Sequence, residues 1–114
     1  MPIDLTAALA HVDGDLQLLA ELAAMFLQDY PRLLNEVRQS IVEGDYSSLE
    51  RAAHTLKGRL AFFGVENARI QALKLEMMGR EQDPDGVWQV LADLEVEIED
   101  SMPEFHRLAR EQRL

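Results

Sequence analysis

The chain has 114 residues, long enough for one domain to bury roughly two-thirds of its unfolded surface in a core of its own. Its formal net charge is -10, from 21 acidic against 11 basic residues, a field that repels phosphate backbones and anionic lipid headgroups and so disfavours nucleic acid and membrane surfaces as partners. The absence of cysteine rules out disulfides and thiolate metal sites.

The amino terminus lacks a signal-peptide pattern, and the longest apolar stretch, LLAELAAMFL, is broken by Glu21 and too short to span a bilayer. A cytoplasmic protein without membrane insertion is expected. Residues 3 to 11 read as a short leading helix. From Asp15 to about Ile41, apolar residues recur at Leu19, Leu22, Phe26, Tyr30, Leu33, Val37 and Ile41, steps of three and four that draw one helical stripe. Pro31 lies inside this segment and is expected to kink it.

A second helix is predicted from about Asp45 to Phe63. Ser47 and Glu50 have capping-box spacing at its start, and Gly64 ends it. The third, Glu66 to Arg80, shows Ile70, Leu73 and Met77 as its apolar positions. The breaker-rich GREQDPDG follows, where Asp83 and Pro84 suit an N-cap and a first helical residue. The last segment carries Val87, Val90, Leu91, Leu94, Ile98, Met102, Phe105 and Leu108, with a bend expected at Pro103. Amphipathic helices on short connections predict an all-α fold: an antiparallel four-helix bundle, up-down-up-down, with a short additional N-terminal helix, as a single domain over residues 1–114.

The second helix carries the chemistry. On a helical wheel Leu49, Ala52, Ala53, Leu56, Leu60 and Phe63 form the core face, and His54 projects roughly 160° away from its centre, into solvent. Gly58 lies one turn beyond His54 and Ala61 two turns, so the surface beside the imidazole is cleared of side chains at the cost of about 0.5–1 kcal/mol for a glycine inside a helix. Arg51 at i−3 and Lys57 at i+3 put two cations next to His54 on an otherwise anionic chain. An exposed imidazole offers a nucleophilic ring nitrogen, and flanking cations favour an anion bound there. Phe62 points to the exposed side near Gly58, as an inter-helix packing residue or an apolar docking contact.

Other constellations are poorer. Glu50 and His54 have i,i+4 spacing, but no third metal ligand is placed by the sequence. Nothing points at His11 or His106. Met25, Met77, Met78 and Met102 read as packing residues. A Gly-rich phosphate loop is missing, so no nucleotide site is expected.

The run HTLKG at residues 54 to 58, followed by FFG at 62 to 64, resembles the signature of histidine-containing phosphotransfer (HPt) domains of two-component phosphorelays. Gly14-Asp15, Phe26, Gly44-Asp45 and Leu75-Glu76 agree with it, and the resemblance covers nearly the whole chain. It implies a four-helix bundle in which His54 is the phosphoacceptor, Lys57 the phosphate-stabilising cation and Gly58 the residue that gives a partner access. Arg51, Ala61 and Phe62 are the expected receiver-docking residues. The implied partners are response-regulator receiver domains and a hybrid sensor histidine kinase, met by a monomer. No cofactor or metal is expected on this chain, since Mg²⁺ belongs to the receiver. The rival reading is a non-catalytic adaptor or inhibitor that binds a receiver or kinase domain without being phosphorylated. One departure stands out: Arg59 takes the place, after the glycine, where the family commonly has a small residue, and on the wheel it turns well away from His54.

Overall fold

The computed structural model describes residues 2–111. They form α1 (Leu5–Ala10), α2 (Leu16–Glu43), α3 (Tyr46–Phe62), α4 (Glu66–Glu81) and α5 (Val87–Ala109), and no strand occurs among the described residues. α2 packs on α3, α3 on α4, α4 on α5 and α5 back on α2, closing a bundle 43 Å long and about 22 Å wide, with α1 against α2. The connections between the four long helices hold only a few residues, so α3, α4 and α5 each reverse the direction of the one before.

Most of the expected faces are the buried ones. In α2, Leu19, Phe26, Leu33 and Val37 are buried and Leu22, Tyr30 and Ile41 are half-buried. In α5, Val87, Leu91, Leu94, Ile98, Phe105 and Leu108 are buried. Each such side chain removed from water contributes about 1.5–3 kcal/mol, which outweighs the weak helix propensity of any single residue. At one end of the core, Phe105 stacks on Phe26 at 4.6 Å and meets Phe63 edge-on at 4.9 Å. Pro31 and Pro103 lie inside α2 and α5, and both helices run continuously through them.

Three local expectations are corrected. α3 is capped by Asp45, whose carboxylate accepts from the Ser48 amide at 3.1 Å. An aspartate already at the N-cap leaves Ser47 within the first turn, and Glu50 pairs with Arg80 instead of closing a capping box. α5 begins at Val87 behind Gly86, three residues later than Asp83-Pro84 suggests, because Asp83 spends its carboxylate on the Asp85 amide in the preceding turn. In α4, Ile70 and Met77 are exposed, and the buried face is Ala68, Ala72, Leu75, Glu76 and Gly79.

That small-residue face lets α3 and α4 approach closely. A Cβ on Gly79 would lie 2.6 Å from the Glu50 amide nitrogen and 2.9 Å from the Tyr46 carbonyl oxygen, both backbone atoms. At the far end of α3 the Gly64 amide donates to Ala61 and the Val65 amide to Leu60, the paired bonds of a Schellman cap. Gly64 adopts φ +68 there, and a Cβ on it would collide with Asp4 at 2.5 Å, so the position takes only glycine. The Asp4 amide donates to the Phe63 carbonyl, strapping the start of α1 across this end of α3.

Candidate functional site: an exposed histidine between two surfaces

His54 sits mid-way along α3, opposite the buried face, with its side chain 66% exposed. Its Nδ1 lies 2.8 Å from Oε2 of Glu76 on α4. The Glu76 side chain is only 4% exposed and also meets Lys57, whose Nζ lies 2.6 Å from Oε1, a charge contact. Arg80 on the next turn of α4 places Nη2 3.3 Å from Glu76 Oε2 and donates from Nε to Glu50 Oε2 at 2.8 Å. Glu76 therefore ties the imidazole and both cations together, although the sequence singled it out only as part of a motif. The signal that would have found it is its spacing, four residues after Ala72 and three before Gly79, on the face that closes against α3.

Burial pushes the Glu76 carboxyl up, while the hydrogen bonds and charges of Lys57 and His54 pull it down by more, leaving it below the ordinary glutamate value of 4.5. An ionised carboxylate only accepts, so with a neutral imidazole the proton at the short contact resides on Nδ1. Nε2 then keeps its lone pair, away from Glu76. Because folding lowers this pKa, Glu76 contributes stability that is complete above about pH 4.5 and is lost as pH falls through the lowered folded value. Urea melts of wild type and Glu76→Gln at pH 7 and at pH 3 should show a wild-type advantage at the first pH that shrinks at the second. Equal differences at both pH values would refute an ionised Glu76.

On one side of His54 lies a hollow of about 430 Å³ between α2 and α3, lined by Leu22, Met25, Phe26, Thr55, Gly58, Arg59, Phe62 and Phe63. Its walls are mainly apolar. Met25, expected as a packing residue, is 62% exposed here. Phe62 is half-buried, meets Phe63 edge-on at 5.2 Å and lines the hollow. His11 is not idle, since its ring lies tilted against Phe62 at 4.9 Å and its Nδ1 lies 3.0 Å from the Phe62 carbonyl. Arg59 borders this same hollow, held by an ion pair with Asp29 of α2. Ala61 is exposed and lies outside the lining.

On the other side a polar depression of about 390 Å³ is lined by Ser47, Glu50, Arg51, His54, Glu76 and Arg80. Gly58 belongs to the wall of the apolar hollow alone, and a Cβ built on it meets nothing within 4 Å. Gly58→Ala should therefore raise stability by up to about 1 kcal/mol through helix propensity alone. Gly58→Leu should keep the fold and slow phosphoryl exchange with a partner. Transfer rates unchanged in Gly58→Leu, with native circular dichroism, would remove the access argument.

Residues 21–107, which hold this imidazole and its buried carboxylate, match the family model of the Hpt domain. The chain belongs to the Hpt domain family. Searches among curated proteins and among solved structures gave no match. The matched span of this Hpt domain runs from within α2 to near the end of α5 and so includes His54, Lys57, Gly58, Glu76 and Arg80. Hpt domains work in phosphorelays by histidine phosphotransfer with receiver domains. No helix among the described residues is long and apolar enough to cross a membrane.

Proposed function

We propose that this Hpt domain is a phosphocarrier that takes a phosphoryl group from a receiver-domain aspartate onto His54 and gives it to a second receiver. The observation that carries this reading is the Nδ1 contact to Glu76 at 2.8 Å, which leaves Nε2 facing outward as the nucleophile. Nε2 attacks phosphorus in line, the N–P bond forms, the P–O bond to the aspartyl carboxylate breaks, and that carboxylate leaves. The reverse geometry passes the group on. Such transfers depend on positioning and on stabilising charge over the transferred oxygens. Glu76 positions the ring, and Lys57, fixed on Glu76 one turn from His54, adds positive potential. Gly58 leaves room for the partner's acidic site, with its Mg²⁺ and lysine.

The apolar hollow beside His54 supports docking of the receiver there, with Phe62 in the contact, while Arg51 meets it from the polar depression on the other side of His54 and Ala61 from the exposed surface of α3. The donor is a receiver domain, free or part of a hybrid sensor histidine kinase, and the setting is cytoplasmic. The test is to mix the protein with receivers carrying radiolabelled aspartyl phosphate. Acid-labile, base-stable label on the wild-type protein is expected. Stable binding to a receiver without label would replace this reading by that of a non-catalytic adaptor or inhibitor.

A further inference from the structure

We propose that Arg80, and not Lys57, is the cation that moves onto the phosphoryl group carried by His54, leaving Glu76 as it does so. This rests on the reading of His54 as the acceptor. The two cations hold the same carboxylate in different ways. Lys57 is 25% exposed and meets Oε1 at 2.6 Å. Withdrawing it would strip a buried carboxylate of its closest charge partner. Arg80 is 54% exposed, reaches Oε2 at only 3.3 Å, and shares that oxygen with His54 Nδ1. If it departs, Glu76 keeps both Lys57 and the imidazole.

The surroundings fit this exchange. Arg80 and His54 line the same depression of about 390 Å³, whereas Lys57 is not part of its wall. A guanidinium on a long stem presents five donors in a planar fork suited to phosphate oxygens. At rest, its contact with Glu50 at 2.8 Å and the looser one with Glu76 balance its charge. A phosphoryl group on the outward-facing Nε2 brings between one and two negative charges to the rim of the depression and competes with those carboxylates for the same donors. Glu50, half-buried on α3, then acts as the resting latch that holds Arg80 off the imidazole until the phosphoryl group arrives.

The experiment is the equilibrium partition of radiolabelled phosphate between one purified receiver and four forms of this protein: wild type, Arg80→Gln, Arg80→Lys and Glu50→Gln. Arg80→Gln should move the partition about two- to fivefold toward the receiver, the range a part-exposed charge contact supplies, and the effect should shrink at high salt. Arg80→Lys should recover part of the loss. Glu50→Gln, which frees the latch, should move the partition the opposite way, toward this protein. A purely structural role for the Glu50–Arg80 pair would make Arg80→Gln and Glu50→Gln move it in the same direction, and that result, or no shift in Arg80→Gln, overturns the proposal. Absence of label on wild type would instead overturn the acceptor reading on which it rests, so the two failures are distinguishable.

Discussion

His54→Gln should take up no label from any phosphorylated receiver, while melting within about 3 °C of wild type. The side chain is largely in water and contributes no core contact, and exposed substitutions usually change stability by less than about 0.5 kcal/mol. Glutamine also retains an amide donor for Glu76, so the buried carboxylate need not lose its partner on that side. Intact-protein mass spectrometry after incubation with a phosphorylated receiver, alongside a thermal melt, checks both halves. Label on the variant would assign acceptance to another residue, and a collapsed melt would mean that His54 is a structural group.

Gly79→Ala should lower stability by about 1–3 kcal/mol, or roughly 5–15 °C in melting temperature, even though alanine is the better helix former. The added methyl has no flexible side chain to displace, since the atoms in its way are the backbone of Glu50 and Tyr46. α3 and α4 must move apart, and the seam between them sets the distance from His54 to Glu76. The variant should therefore lose phosphoryl transfer beyond what its stability loss explains, under conditions where it is fully folded. A variant as stable as wild type, with normal transfer, would show that the seam opens without consequence. Gly58→Ala is the natural contrast, because the same substitution on the facing helix meets open space.

Periodicity located the helices because Leu, Phe, Val and Ile dominate the buried faces of α2, α3 and α5. It misread α4 for a physical reason: close approach is made by small residues, and Ala68, Ala72 and Gly79 carry little hydrophobic signal beside Ile70 and Met77, which remain exposed. The exposure of His54 was legible from one helix alone, as the angle between a residue and its own core face needs no partner. Glu76 and Arg80 were not, because their contacts cross from α4 to α3 at sequence separations of 22 and 30. The apolar hollow was equally hidden, as its wall combines Leu22 and Met25 of α2 with Phe62 of α3. The misassigned cap of α3 and the misplaced start of α5 turned on which of several nearby polar groups wins the first free amides, a competition that spacing does not decide.

The two sides of His54 are built from different pairs of helices. Among the described residues, the polar partner of His54 and the charges around that partner come from the α3–α4 hairpin, Tyr46 to Glu81, whose contacts are local in sequence and can close early. The apolar hollow exists only once α2 has docked on that hairpin. A transient opening that lifts α2 would leave the imidazole oriented by Glu76 but erase the apolar surface beside it. In hydrogen-exchange language, chemical competence and partner recognition would then have separate opening free energies. With receivers docking on the hollow as proposed, a phosphorylated molecule would keep its phosphoryl group through openings that briefly erase their docking surface.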